Sequence, residues 1–137
     1  MRFLNSIRKS EVLAILLCAS TLAAQDTVHP GVFKGTWMGA TGDGEVTITL
    51  KPDGQGGIAA DVALIVAGEP VRCSVTSVKV SGSSLDMTYD FDVQGTKLRS
   101  ESKGTLKGET LAGTYKTTAP DAGAEVDQGS WTVTASK

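Results

Sequence analysis

From residue 35 onward, apolar and polar side chains alternate with a period of two in short runs, and each run ends in a glycine-bearing turn. A helix needs its apolar residues three and four apart, so this pattern dictates strands that each have one dry face. The runs predict about eight strands, over roughly 35–41, 44–51, 57–66, 70–80, 84–93, 96–107, 110–118 and 128–136. The turn signals between them include Thr41-Gly42-Asp43-Gly44, Pro52-Asp53-Gly54-Gln55-Gly56, Ala67-Gly68-Glu69-Pro70, Ser81-Gly82-Ser83-Ser84, Gln94-Gly95 and Lys107-Gly108-Glu109. Connections this short join antiparallel neighbours. Only 119–127 reads as a longer loop. The expected fold is therefore all-β, a single antiparallel meander closing into a small barrel, with a β-sandwich as the alternative.

The alternation also assigns the faces. Val46, Ile48 and Leu50 share one side of their strand, and Leu85, Met87, Tyr89, Phe91 and Val93 oppose Asp86, Thr88, Asp90 and Asp92. In the fourth run the phase slips between Val75 and Val78, which predicts a β-bulge at Thr76-Ser77 and a bend in the sheet. The sixth run turns Lys97, Arg99, Glu101 and Lys103 outward, and Leu98, Ser100, Ser102, Gly104 and Leu106 inward. Gly39, Gly104, Gly113 and Gly129 fall on inward positions. Small inward groups permit either tight coiling or internal space.

The N-terminus has a different character. Arg2, Arg8 and Lys9 precede the apolar run Val12 to Ala19, which is too short to span a bilayer, and small residues follow as far as Ala24. This predicts a signal peptide over 1–24, a tail over 25–34 and a β-barrel domain over 35–137. The expected location is secreted or periplasmic, with no membrane span after cleavage. Losing Arg2, Arg8, Lys9 and Glu11 leaves ten basic against fourteen acidic side chains, so the net charge goes from −2 to −4. A net-acidic domain without a Lys/Arg cluster is unsuited to nucleic acid. Of the two cysteines, Cys18 lies in the leader, and Cys73 alternates with Val71 and Val75 as a small buried hydrophobe. An exported chain without an internal disulfide suits a bacterial periplasm.

A short motif recurs: Gly35-Thr36-Trp37, Gly104-Thr105-Leu106, Gly113-Thr114-Tyr115 and Gly129-Ser130-Trp131. With Gly35-Thr36-Trp37 at the start of the first expected strand, the chain resembles the calycin group of lipocalin-like and avidin-like small β-barrels. It is similar to the lipocalin-like domains that bacteria export. The resemblance implies a Trp packed at one barrel end, with Lys137 as the basic residue covering it, and a ligand in the barrel interior. Leu111-Ala112-Gly113-Thr114-Tyr115 resembles an avidin-like strand, but with two tryptophans in the chain the biotin pocket is not carried over.

Catalytic and metal chemistry find few residues to work with. The one histidine, His29, precedes Pro30 in the tail, far in sequence from any candidate nucleophile. Zinc sites need several His or Cys at close spacing. Asp86, Asp90 and Asp92 share a strand face, Asp90 and Asp92 roughly 7 Å apart, and read as solvated charge, as do Asp43/Glu45 and Asp121/Glu125/Asp127. The chain is therefore expected to be no enzyme and to carry no cofactor or metal. Two functions fit. The first is a binding module for a small apolar or amphipathic ligand, its barrel lined by Trp37, Leu64, Met87, Tyr89, Phe91, Ser100, Ser102, Tyr115 and Trp131. The second is a ligand-free structural or protein-interaction domain of the periplasm or cell surface. Eight strands can be just filled by their side chains or can hold one small ligand.

Overall fold

The computed structural model describes residues 26–136, so the leader expected over 1–24 and the covering role of Lys137 lie outside the described residues. Nine strands form one antiparallel sheet: β1 Gly31–Gly39, β2 Asp43–Pro52, β3 Ile58–Val66, β4 Glu69–Arg72, β5 Ser74–Ser81, β6 Ser84–Val93, β7 Thr96–Lys107, β8 Thr110–Ala119 and β9 Ala124–Ala135. The sheet order is β4-β3-β2-β1-β9-β8-β7-β6-β5, a meander in which the last strand returns to pair with the first, Trp131 opposite Trp37. One continuous curled sheet, a half-barrel, replaces the two stacked sheets of the sandwich alternative. No helix among the described residues is long and apolar enough to cross a membrane.

The fourth expected strand is two strands here. Residue 73 interrupts it, and β4 and β5 become the two edges of the sheet although a single residue separates them in sequence. That one-residue link holds the edges of the curl together. Cys73 N–H donates to Val62 O at 3.3 Å, and β3 lies against β5 without a ladder between them. The expected bulge is present: the β5–β6 register slips between Val75 and Ser77, leaving Thr76 as the extra residue. Burial raises the Cys73 thiol pKa to about 12, which keeps it a neutral, inert side chain at the seam.

The two-residue hairpins carry the twist. Ala67-Gly68 and Gln94-Gly95 both hold positive φ at the two central positions, at 52° and 81° and at 52° and 84°. This is the mirror-image turn whose twist matches that of the strands it joins.

Two boundaries differ from the sequence expectation. The first strand begins at Gly31, not at residue 35, because Gly31 to Lys34 pair with Thr47 to Leu50 of β2. The last begins at Ala124, so the expected long loop shrinks to a turn at 120–123, closed by Ala122 N–H to Ala119 O and Gly123 N–H to Pro120 O.

The interior divides into two halves along the barrel axis. At the end carrying the chain's N-terminal segment, Phe33, Leu50, Leu85, Leu106, Leu111 and Val133 are completely or almost completely buried and fill the space between the walls. The residues expected to form a loose tail seal this end. Val28 is buried, its N–H donates to Gly82 O at 2.9 Å, and Asp26 Oδ1 accepts from Gly108 N–H at 3.2 Å. The segment thereby ties together two neighbouring turns, those of the β5–β6 and β7–β8 hairpins. The other end, ringed by the β1–β2, β3–β4, β6–β7 and β8–β9 turns, is open.

Candidate functional site

The open half encloses a cavity of about 300 Å³. Its wall includes all nine of the residues expected from alternation: Trp37, Leu64, Met87, Tyr89, Phe91, Ser100, Ser102, Tyr115 and Trp131. Ten further residues complete it, among them Thr41, Val46, Ile48, Leu98, Thr117 and Asp127. The sequence reading placed Val46, Ile48 and Leu98 on inward faces without assigning them to a site.

The hollow comes from how the inward glycines and rings are arranged. Trp131 pairs with Gly113 of β8, and its indole continues across to β7, where a Cβ on Gly104 would lie 2.5 Å from its Cη2. Tyr115 pairs with Gly129 and reaches Gly39, where a Cβ would collide with its hydroxyl. The Trp37 indole lies over Gly44, where a Cβ would come 2.9 Å from Nε1. Each large ring thus lies flat along the wall over the missing side chains of neighbouring strands, and the lumen stays open. Of the recurring motif, Gly104 lies under the Trp131 ring and Gly113 and Gly129 pair with Trp131 and Tyr115, whereas Gly35 admits the Thr132 backbone.

Hydrogen bonds fix the rings in place. Trp131 Nε1–H donates to Thr114 O at 3.2 Å and Trp37 Nε1–H to Ile65 O at 3.3 Å. Trp37 and Tyr115 meet edge to face, 6.2 Å between centroids at 89°, a favoured geometry for aromatic pairs. Trp37 packs at the open end of the barrel. Because β1 starts at Gly31, the Gly35-Thr36-Trp37 segment lies in the second half of the strand and brings the indole to the open end. The far end of β9, where Ala135 pairs with Phe33, is at the opposite end of the barrel.

Polar groups enter the lumen in two places. On the deeper wall, Tyr89 Oη and Ser102 Oγ lie 3.3 Å apart, and Ser100 Oγ and Thr117 Oγ1 lie 2.5 Å apart, all four residues being buried. Burial pushes the Tyr89 phenol above its ordinary value, with the Ser102 hydrogen bond opposing, so these are neutral hydroxyls at physiological pH. Each hydroxyl keeps acceptor capacity beyond the bond it makes.

At the mouth, Tyr115 O–H donates to Asp127 Oδ2 at 2.7 Å and Thr41 N–H donates to Oδ1 at 3.0 Å. Asp127 had been read from sequence as part of a solvated acidic turn. It belongs instead to β9, whose register slips between Glu125 and Asp127. Strict alternation would have put both carboxylates on the lumen side. The bulge at Val126 sets Glu125 opposite Thr118, leaving Asp127 opposite the lumen-facing Thr117. The signal available in the sequence was parity, because Asp127, Gly129 and Trp131 are spaced by two.

Partial desolvation raises the Asp127 pKa, but the hydrogen bonds from Tyr115 and Thr41 outweigh it and hold the carboxyl below its usual range. Desolvation and the adjacent carboxylate push the Tyr115 phenol upward. The two shifts predict a stability profile. The depressed Asp127 contributes stability above pH ~4 that fades as the pH falls through its folded value, and the raised Tyr115 contributes below pH ~10 and fades above it. Tyr115→Phe is expected to cost about 1 kcal/mol, the low end for a hydrogen bond to a charged group because solvent reaches the mouth. Urea unfolding of both proteins should show that gap constant from about pH 5 to 9 and narrowing on either side.

The remaining candidates lie outside this site. Asp90 faces outward and is gripped by Arg99, with Nε–Oδ1 at 2.8 Å and Nη2–Oδ2 at 3.2 Å, a pair that holds its carboxyl below the usual range. No group of three His, Cys, Asp or Glu side chains suited to a metal ion occurs among the described residues. His29 is exposed, its Nδ1 3.0 Å from Pro30 O and its ring 5.8 Å from Phe33 at the sealed end. No protein-family model, curated protein or solved structure matches the chain.

Proposed function

We propose that this protein is an exported, non-enzymatic binding module of lipocalin-like type, whose lumen holds one small apolar or amphipathic molecule. The observation that carries this reading is the contrast between the two halves of one barrel. One half is packed solid from Phe33 to Leu111. The other, built from the same sheet, keeps a cavity of about 300 Å³ walled by aromatic and aliphatic side chains. An apolar hollow normally sacrifices packing contacts and stability. Here inward glycines under Trp131, Tyr115 and Trp37 keep the rings out of it. Concave, mostly apolar sites with a few convergent polar groups are the usual form of small-ligand pockets, and this volume is at the small end of their range.

Several observations support binding over catalysis. The deep polar groups are neutral hydroxyls bonded to one another, and the one carboxylate in the wall is held ionised by its hydrogen bonds. A general acid or base working near neutrality would need the opposite shift. The N-terminal residues, read as a signal peptide, support export.

Both tryptophans of the chain line the cavity, so the ligand reports on itself. Titration with small apolar and amphipathic compounds should shift or quench intrinsic fluorescence saturably at one equivalent. A fluorescence spectrum unmoved by any of them, from a folded protein, would favour the ligand-free structural domain instead.

A further inference from the structure

The reading above leaves the ligand's head group open, and the mouth of the cavity supplies its chemistry. Asp127 is the one charged side chain in the cavity wall among the described residues. Its oxygens accept hydrogen bonds from the Tyr115 hydroxyl and the Thr41 N–H, and further hydrogen bonds from the Thr41 side chain and the Gln128 backbone help to hold it as the anion. Beside it stand the rings of Trp37 and Tyr115, packed edge to face, and aromatic faces attract cations. The strand ends and turns around the same opening add Asp43, Glu69, Asp121 and Glu125, against Lys97. The one nearby guanidinium, Arg99, is committed to Asp90 on the outer face.

We propose that the lumen selects a cationic amphiphile, its apolar body filling the cavity and an ammonium-type head seated at the mouth against Asp127 and the Trp37–Tyr115 pair. The proposal rests on the carrier reading and adds the sign of the charge to it. An anionic head of the same length would bring a second carboxylate against Asp127 in a partly desolvated rim and be repelled. A cation gains the charge-assisted hydrogen bond that a neutral alcohol cannot match.

Three probes of one chain length separate the possibilities: octylammonium, octanol and octanoate, titrated by tryptophan fluorescence at neutral pH and low salt into the full chain. The expected order is octylammonium tightest, by about tenfold over octanol, with octanoate weakest. In Asp127→Asn the preference for ammonium over alcohol should vanish. Tyr115→Phe, which keeps the charge, should retain the preference. Should Asp127→Asn fail to fold, the wild-type protein still decides: its ammonium preference must shrink between low salt and ~1 M salt. Octanoate binding as well as octylammonium, or a preference that survives Asp127→Asn or high salt, overturns the charge assignment while octanol binding keeps the carrier reading standing. If none of the three binds, the carrier reading falls with it.

Discussion

Phe33→Ala is expected to destabilise the domain by about 3–5 kcal/mol, whereas Phe91→Ala, the same truncation in the same barrel, costs about 1.5–3. The difference follows from what lies beside each ring. Phe33 is fully buried between β9 and β2 at the sealed end, with Ala135 and Ile48 as its register partners and the His29 ring beside it. Removing it leaves a new void that the close-packed surroundings cannot collapse to fill, so the cavity penalty adds to the lost transfer energy. Phe91 is already a wall of a hollow. Its loss enlarges space that exists, and only the transfer contribution remains. Urea unfolding of the two variants should show midpoints well separated at unchanged m-value. With total stabilities of small domains at about 5–15 kcal/mol, the first variant approaches the threshold of folding. Equal losses would mean that both halves of the barrel are packed alike.

Ser102→Leu has the converse signature. The larger side chain projects into the lumen beside Tyr89, taking ligand volume and removing the hydroxyl that faces the phenol at 3.3 Å. Affinity for any ligand that fills the cavity should fall by tenfold or more, about 1.4 kcal/mol. Stability should change by no more than about 1–2 kcal/mol, since the Tyr89 hydroxyl still faces the Ser100 hydroxyl and the added apolar contacts offset part of the penalty of losing the Ser102 one. Tryptophan fluorescence titration and urea unfolding on one preparation measure both quantities. A folded variant that binds with unchanged affinity would place the ligand elsewhere than this lumen.

Much of this architecture can be read from alternation alone, and the exceptions have physical causes. The lumen-facing residues of β6 and β7 obey a strict period of two over Leu85 to Phe91 and Leu98 to Leu106, which is why Met87, Tyr89, Phe91, Ser100 and Ser102 could be assigned to the interior. The bulge at Thr76 was legible because Val75 and Val78 break that period between two otherwise regular stretches.

Three features were not legible. The split at Cys73 leaves the inward parity of Val71, Cys73 and Val75 intact, so a continuous strand and two edge strands read alike. Gly31 to Lys34 followed Pro30 and looked like tail, yet pairing with β2 made it strand, a tertiary decision that local composition does not record. Asp127 shares the parity of Gly129 and Trp131, but the stretch 119–127 reads as a loop, and the bulge that takes Glu125 out of phase with it has no regular apolar alternation around it to reveal the change. The glycines at 39, 104, 113 and 129 were recognisable as inward, but whether they meant tight coiling or space depended on the rings lying across them. Both hold: a Cβ on Gly113 would collide with Lys103 O, showing the close approach of backbones, and the Trp131 indole occupies the floor so formed.

The central claim is that the open half of the barrel is a ligand site, and native mass spectrometry of the protein purified without denaturant tests it most directly. The account predicts one noncovalent adduct per chain, of a size suited to about 300 Å³, either carried through purification or taken up from a mixture of small amphiphiles. That adduct should be lost on denaturation and absent in Ser102→Leu. A bare chain mass after exposure to such a mixture, or an adduct that Ser102→Leu retains in full, would contradict it.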